Sequence, residues 1–409
     1  MLPAVFIALV FAFSLVSGKI GRSSLTAPIL FTAAGMVFSL IATDLGMQKE
    51  HLAPLLTLAE VGLVLLLFTD ASRTDLGMLR RMGNLPARLL TTGMLLTLLL
   101  GTLAALVVFR HLTIWEAGIL AAILAPTDAG LGQIIVNSPR VPLKVREALN
   151  VEAGLNDGLS VPFLLFFIAM AGGAVGETSG SSLHQYVLEQ LGYGTAVGLG
   201  IGLAGGLLLG WAHRSRAVAA GWSQLGVVAL PLLCLFASEA VGASMFIAAF
   251  VAGLAVQAGF RTAGRHSVEF AEEWGQFINL SIFFLFGNVV VQSWPYFTLL
   301  HFVYAALSLT VLRMLPVAIA LAGTGLSRAS VAFMGWFGPR GLASIVLVLV
   351  YLEHGADHPG ESTIRLAAIA TILVSIFAHG LSARPGIRRY GAAIESLAGG
   401  SPEHDTRSA

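Results

Sequence analysis

The sequence predicts an all-α polytopic membrane protein with about thirteen transmembrane helices. Three observations support this fold class: an apolar composition, a regular succession of long apolar segments, and a one-sided distribution of Lys and Arg between them. Of the 409 residues, 56% are hydrophobic and 11% are charged, whereas about a quarter of a soluble chain is charged. The net charge of +1 gives no reason to expect a nucleic-acid partner.

Apolar segments long enough to cross about 30 Å of hydrocarbon mark the predicted helices. They lie near residues 2–17, 25–43, 52–71, 87–109, 113–137, 148–172, 192–212, 221–241, 243–258, 268–292, 296–322, 328–352 and 363–383. The first segment is interpreted as an uncleaved helix, because Lys19 and Arg22 follow it instead of preceding it. Residues 1–385 then form a transmembrane domain, and residues 386–409 form a short polar tail.

The basic residues orient these segments. With the N-terminus outside, most Lys and Arg fall in cytoplasmic loops, and the outside loops hold Lys49, Arg110 and Arg365. This asymmetry follows the positive-inside rule for an odd number of spans. It predicts a cytoplasmic tail and a multi-pass location in a cell (inner) membrane.

Two predicted helices contain residues that interrupt a helix. The fifth carries APTDAG and the twelfth carries FGPRG at 337–341, and proline removes a helical hydrogen bond. Their offset of seven spans predicts inverted repeats, helices 1–6 and 8–13, with the two interrupted helices crossing near the membrane midplane. Unwound carbonyl groups around Thr127 then face a ligand, water or a neighbour. Asp128 and Arg340 would neutralise opposing helix ends; structural compensation and direct participation both remain open.

The sixth predicted helix carries acids at bilayer depth, in VEAGLNDGL at 151–159. An ionisable group costs a few kcal/mol there and indicates a functional site. Glu152 and Asn156 are four residues apart and share a helix face, while Asp157 points about 100° further round. One carboxylate can hold a small cation or a proton, but not both at once. This competition is the simplest form of cation/proton exchange.

Buried charges predict ion pairs, because an unpaired charge is expensive. Glu152 is predicted to pair with Arg313. Glu60, another acid deep in an apolar segment, is predicted to pair with Arg340. Asp128 and Asp157 would then lack basic partners, as suits a cation site.

Other polar residues receive weaker predictions. Ser160, one turn after Asp157, is a possible accessory ligand, although such a hydroxyl more often bonds to its own helix. Glu239 is expected near an interface. His379 is expected at the cytoplasmic end of the last helix, where it is more readily interfacial than catalytic.

These residues resemble the monovalent cation:proton antiporters, in particular the NhaP/NHE-like sodium/proton branch. The matching segments are AEVGLVLLLFTDAS (59–72), PTDAG (126–130), E-x-x-x-N-D-G (152–158), LRMLP (312–316) and GPRGLASIVL (338–347). The resemblance covers nearly the whole chain, about residues 2–385. It implies a thirteen-helix antiporter, usually a homodimer, in which a core domain moves against a dimerisation domain.

Carried over to this sequence, the resemblance implies roles for individual residues. Asp157 would bind the monovalent cation and the proton, and Thr127 would offer a backbone carbonyl to the cation. Asp128 would contribute through water or by balancing the crossing. Glu152 would hold Asn156 in place and pair with an arginine. No cofactor is implied, and the single titrating carboxylate predicts electroneutral exchange of one cation for one proton.

One departure from the family pattern concerns cation choice. Ala153 stands where many members have Ser or Thr, so a hydroxyl ligand is missing. The leading hypothesis is Na⁺ or Li⁺ exchange, and K⁺/H⁺ exchange is the alternative. The absence of a cytoplasmic regulatory domain leads us to expect a prokaryotic source.

Two other classes of protein are less well supported. An intramembrane aspartyl protease would resemble a Y-D plus G-x-G-D pattern, and neither occurs. An ion channel would carry a repeated carbonyl filter or a run of arginines, which are also missing. The sequence therefore favours a transporter over an enzyme.

Overall fold

The computed structural model describes residues 2–20, 23–41, 52–73, 85–172, 192–219, 222–260, 264–354, 359–397 and 403. Every secondary-structure element in this part of the chain is helical. The helices are α1 Leu2–Ile20, α2 Ala27–Ile41, α3 Leu52–Arg73, α4 Leu85–Val108, α5 Ile114–Ile123, α6 Ala129–Val136, α7 Leu143–Ala171, α8 Gly194–Arg214, α9 Trp222–Ala240, α10 Met245–Val256, α11 Gly264–Ser293, α12 Leu299–Leu309, α13 Val311–Ala320, α14 Arg328–Trp336, α15 Leu342–His354 and α16 Glu361–Glu395.

Each predicted segment is helical, and the all-α fold class is confirmed. Within the described residues, eight helices are long and apolar enough to cross a bilayer, and four shorter apolar helices accompany them. The number of helices that cross the membrane, thirteen in our prediction, is not tested by this criterion. The predicted division between the eighth and ninth segments is confirmed by a turn at Gly242, whose φ is +66°.

Both predicted interruptions are present. The first break, residues 124–128, separates α5 from α6, and the second break, residues 337–341, separates α14 from α15. Each contains a proline, Pro126 or Pro339, which lacks the N–H that a continuing helix needs. The eleventh predicted segment is also divided, at Thr310, where φ is −110° and ψ is −90°.

Close helix packing depends on glycine. One face of α8 carries buried glycines at every fourth position, namely Gly194, Gly198, Gly202, Gly206 and Gly210. A Cβ at Gly198 would collide with the carbonyl oxygen of Ala248 in α10. Small residues at this spacing let two helix backbones approach closely. The same helix also packs on α9.

The last helix is longer than predicted. We expected a polar tail from residue 386, but α16 continues to Glu395. Its final turns pack on α14, where the rings of Tyr390 and Phe333 stack with centroids 4.1 Å apart. This contact adds apolar burial that a solvated tail would lack, so the helix continues.

Candidate functional site at the crossing of two broken helices

The first break places a carboxylate at the beginning of α6. Oδ1 of Asp128 accepts a hydrogen bond from the backbone N–H of Leu131 at 2.9 Å. Its Oδ2 accepts one from the N–H of Leu342, the first residue of α15, at 2.5 Å. One buried carboxylate therefore caps two helix N-termini, where the partial positive charges of the helix ends lie.

The second break places a guanidinium beside carbonyl groups of both breaks. Arg340 is fully buried, and its Nη1 donates to the carbonyl oxygens of Pro126 and Gly338, each at 3.1 Å. These carbonyls follow α5 and α14, whose C-terminal ends carry partial negative charge. The N–H of Arg340 donates to Oγ of Ser375 at 2.6 Å, which fixes the break against α16.

The two breaks also touch through their backbones. The N–H of Asp128 donates to the carbonyl oxygen of Pro339 at 2.8 Å. A Cβ at Gly341 would collide with the Asp128 carboxylate, so this approach needs glycine. Each break thus forms hydrogen bonds with backbone groups of the other break that lack partners within their own helix. The prediction that Asp128 and Arg340 neutralise opposing helix ends is confirmed, while their participation in transport stays a prediction.

The predicted ion pair between Glu152 and Arg313 is confirmed. The guanidinium donates from Nη1 to Oε1 at 2.5 Å and from Nη2 to Oε2 at 2.8 Å, and both side chains are buried. Such a bidentate pair is among the stronger charged contacts in proteins. A Cβ at Gly338 would collide with the Arg313 guanidinium, so the second break lies directly on this pair.

The predicted partner of Arg340 is wrong. Within the described residues no hydrogen bond joins Arg340 to Glu60, and its Nε and Nη2 have no hydrogen-bond partner. The guanidinium faces backbone carbonyls of the two breaks, which partly balance its charge. Our expectation considered only acidic side chains as partners of Arg340. It did not consider the backbone carbonyl groups at the ends of helices.

Asn156 connects α7 to the first break. Its Nδ2 donates to Oγ1 of Thr127 at 2.7 Å. The resemblance implied that Glu152 would hold Asn156, but both Glu152 oxygens accept hydrogen bonds from Arg313. That expectation is wrong. Oδ1 of Asn156 is buried and has no hydrogen-bond partner in the described part of the chain.

Asp157 is the acid with an unused oxygen. Its side chain is buried, and its Oδ1 makes no hydrogen bond to any described residue. Asp70, Asp128 and Arg340 all act on it electrostatically, yet none of the ion pairs found among the described residues includes it. A buried carboxylate without a bonded cation is costly, so this oxygen suits a proton or a small cation.

Two weaker predictions have different outcomes. Ser160 donates to the backbone carbonyl of Asp157 at 2.7 Å, the local bond expected of it, and its role as a ligand stays untested. His379 is buried among helices, and its expected position at the membrane interface stays a prediction. Its Nδ1 lies 3.1 Å from Oγ of Ser375, and the Trp336 ring lies over it with centroids 5.1 Å apart.

A small cavity reaches the first break and extends along α6 and α7. Ala153 presents a methyl group to this space, and the exposed Asn150 presents an amide. The remaining lining residues are Thr127, Asp128, Gly132, Ile135, Val136, Leu149, Phe337 and Pro339.

Sequence reasoning missed three residues at this site. Asp70 lies in the first segment quoted for the resemblance, AEVGLVLLLFTDAS, and an acid ending an apolar run could have identified it. Asn150 lies three residues before Ala153 and seven before Asp157, a helical spacing that puts all three on one side of α7. Ser375 carried no local signal, because its role depends on the backbone of another helix.

Comparison with known proteins agrees with this architecture. The family model described as "Sodium/hydrogen exchanger, transmembrane" matches residues 5–388. The sodium proton antiporter MjNhaP1 from Methanocaldococcus jannaschii has a similar fold, with a TM-score of 0.76 at 18% identity over 95% of this chain and 97% of that one.

Curated relatives are similar over part of their length. The K(+)/H(+) antiporter NhaP2 of Shewanella sp. (strain MR-4) is 27% identical over 294 residues, which are 70% of this chain and 49% of that protein. The Na(+)/H(+) antiporter of Schizosaccharomyces pombe is 24% identical over 263 residues, 60% of this chain and 56% of that protein. The chain spans about half the length of these relatives.

The family match extends over nearly the whole chain and includes both breaks, the Glu152–Arg313 pair and Asp157. The apolar helices agree with a multi-pass membrane protein. This chain belongs to the sodium/hydrogen exchanger family of transmembrane transporters.

Proposed function

We propose that the protein exchanges a monovalent cation, Na⁺ or Li⁺, for a proton at Asp157. The observation that carries the proposal is the unused, buried Oδ1 of Asp157, beside an Asp128 carboxylate whose two oxygens are already hydrogen-bonded. A proton and a cation would compete for this carboxylate, so the loss of one accompanies the binding of the other.

The neighbours of Asp157 fit this competition. Asp128 has both oxygens in hydrogen bonds to backbone N–H groups, so it is occupied as a helix cap. Glu152 has both oxygens on Arg313. Asp157 is therefore the carboxylate of this group that is free to change its occupant. Carboxylate and carbonyl oxygens are suitable ligands for a hard cation.

The cavity beside Thr127 supports access from one side. It ends at the first break, and Asn150 and Ala153 line it on α7. We infer an alternating-access cycle in which this opening closes and one on the opposite side forms. Arg340, Arg313 and Glu152 would keep their charges throughout, because each is held by buried partners.

Proteoliposomes containing a pH-sensitive dye test the proposal. Adding Na⁺ or Li⁺ should move protons in the wild-type protein, and Asp157→Asn should abolish the signal while leaving the protein folded. Asp157→Glu should retain some exchange at altered apparent affinity. Glu239→Gln is the matched control, since this acid is exposed at the end of α9. Wild-type exchange by a well-folded Asp157→Asn variant would overturn the assignment.

K⁺/H⁺ exchange is the second candidate, and Ala153 favours it. This residue lines the cavity without a hydroxyl that could replace a water of a small cation. A relative that is 27% identical is named as a K(+)/H(+) antiporter. Titrating the same dye signal with Na⁺, Li⁺ and K⁺, using choline as the inert control, distinguishes the two. Ala153→Ser should shift the preference toward Na⁺ if the missing hydroxyl decides it.

We further propose that exchange is electroneutral, because one carboxylate carries one proton or one cation. Proteoliposomes at fixed ΔpH and fixed Na⁺ gradient should show the same reversal point at every valinomycin-set potential, once K⁺ transport has been excluded. A reversal point that moves with the membrane potential would indicate that a second proton is transported for each cation. Asp70, which acts electrostatically on Asp157, would then be the first carboxylate to substitute.

Assembly and location complete the proposal. We infer a homodimer in a prokaryotic cell membrane, with the N-terminus outside and the tail in the cytoplasm. The bacterial and archaeal relatives support the source. Native mass spectrometry from mild detergent measures the oligomeric state, and a purely monomeric protein would refute the dimer.

A further inference from the structure

A second, largely apolar space lies away from the crossing. It is a shallow groove between α11 on one side and α15 and α16 on the other. The groove is lined by Ile282, Leu285, Phe286, Val289, Ile345, Val348, Leu349, Leu352, Ile369, Ile372 and one polar residue, Arg365.

The groove follows a boundary between two sets of helices. On one side, α11 packs chiefly on α2 and α3. On the other, α16 packs chiefly on α12 and also on α15. α11 itself makes only limited contact with α15 and α16, so their side chains leave an open apolar channel. Because the surrounding helices are membrane helices, lipid chains are the apolar molecules that surround them.

One end of the groove carries opposite charges. Arg365 lies in the first turns of α16, and its Nε donates to Oε1 of Glu361 at 3.3 Å. Both side chains are about one-third exposed, at 33% and 29%. The Nη groups of Arg365 make no hydrogen bond within the described residues. A guanidinium binds phosphate bidentately, and Glu361 presents a negative charge beside it.

We propose that this groove binds one acyl chain of an aminophospholipid. The phosphate contacts the Nη groups of Arg365, and the headgroup ammonium contacts the carboxylate of Glu361. The ion pair at the mouth complements a headgroup that carries both charges, whereas a lone arginine would favour a purely anionic one. The ligand is therefore a phosphatidylethanolamine-like lipid. Neither the exchange reaction nor the crossing site depends on it.

Photolabelling of the full-length protein tests the binding. The protein is placed in nanodiscs that contain a trace of phosphatidylethanolamine with a diazirine in its acyl chain, and labelled peptides are mapped by mass spectrometry. Labels should concentrate on the groove residues of α11 and α15. Arg365→Gln should lower them about fivefold, the effect of losing a charge-assisted hydrogen bond. Arg110→Gln, an exposed arginine that does not line the groove, should leave them unchanged.

Two further variants separate the chain from the headgroup. Val289→Trp fills the groove and should remove its labels while retaining Arg365. Glu361→Gln should reduce labelling by the phosphatidylethanolamine probe relative to a phosphatidylglycerol probe. Thermal unfolding in detergent shows that each variant is folded.

Several results would overturn the proposal. Equal labelling by both probes in the wild-type protein would mean that any lipid chain solvates the groove. Unchanged labelling in Arg365→Gln, or equally effective competition by a free fatty acid, would remove the headgroup contact. Cross-links between α11 and α15 of two copies, in place of lipid labels, would assign the groove to a protein interface.

Discussion

The two breaks are alike in backbone and opposite in charge. Each interrupts a helix with a proline, and each supplies one buried charged residue. Asp128 of the first break accepts hydrogen bonds from the N-termini of α6 and α15. Arg340 of the second break donates to carbonyls that follow α5 and α14. A crossing of four half-helix ends thus needs one acid and one base.

The comparison also shows an imbalance. Both oxygens of Asp128 are hydrogen-bonded, whereas Nε and Nη2 of Arg340 have no hydrogen-bond partner among the described residues. The first break therefore holds its charge tightly. The second keeps two donor groups of Arg340 that no described residue uses. This difference teaches that the two charges are satisfied to different degrees, with both oxygens of Asp128 bonded and two donor groups of Arg340 unused.

The largest expected effect concerns the ion pair beneath the second break. Glu152→Gln leaves Arg313 buried without a partner, which costs about 3–5 kcal/mol, whereas neutralising both partners costs much less. Glu152→Gln should therefore lower the melting temperature in detergent. Adding Arg313→Gln should recover part of it.

Arg340 provides the control for that cycle. Adding Arg340→Gln to Glu152→Gln should recover no stability, since the structure pairs Glu152 with Arg313. Recovery of stability by Arg340→Gln, together with none by Arg313→Gln, would show that Glu152 pairs with Arg340 instead of Arg313.

The next effect compares the two charges directly. Asp128→Ala removes the cap of two helices and should cost about 1–4 kcal/mol, twice the cost of losing one cap. Arg340→Met should cost less, because it also removes a buried charge whose hydrogen bonds are incomplete. Melting temperatures of the two variants in one detergent measure the difference. A greater loss in Arg340→Met would reverse our assignment of the tighter charge to the first break.

A smaller effect probes the close approach of the breaks. Gly341→Ala places a methyl group against the Asp128 carboxylate and should cost about 1–3 kcal/mol, the usual cost of overpacking. Exchange should fall with it, because the crossing is displaced. Gly132→Ala is the control, since a Cβ there meets no atom within 4 Å. Equal stability of the two variants would mean that the breaks can separate without cost.

The sequence predicted the helices, both breaks and the Glu152–Arg313 pair, because hydropathy, proline positions and the cost of buried charge are readable one residue at a time. It did not predict that Asn156 bonds to Thr127 or that Arg340 bonds to carbonyls. These contacts depend on how two helices cross, which the spacing along one helix does not define. The end of the last helix was also not predicted, because the expected helix ended at residue 383, whereas α16 continues to Glu395.

The smallest expected effect on stability concerns the N-termini of α5 and α14, the two helices that precede the breaks. The start of α5 is capped locally, by Thr113 and Glu116 in a reciprocal capping box. The start of α14 is capped by its own Ser327 and also by Glu403 from the end of the chain. Oε1 of Glu403 accepts hydrogen bonds from the Ser327 N–H and the Ser330 hydroxyl, each at 2.7 Å. Glu116 also accepts a hydrogen bond from the N–H of Gly360 at 2.8 Å, so both helix starts contact a distant part of the chain, α5 at Gly360 and α14 at Glu403.

The charge of Glu403 makes this contact sensitive to pH. Burial raises the pKa of its carboxyl, but the hydrogen bonds from Ser327 and Ser330 outweigh burial, so the pKa lies below the ordinary glutamate value. A carboxyl with a lowered pKa in the folded state stabilises fully above its unfolded pKa of about 4.3, and this stabilisation is lost as the pH falls through the folded value. Glu403→Gln should therefore cost about 0.5–1.5 kcal/mol at pH 7, the contribution of one hydrogen bond. Wild type and variant should converge in melting temperature as the pH falls through the lowered folded-state pKa of Glu403, while the exposed control Glu395→Gln should match wild type throughout. A difference that persists unchanged to low pH would show that Glu403 stabilises α14 by packing and not by its charge.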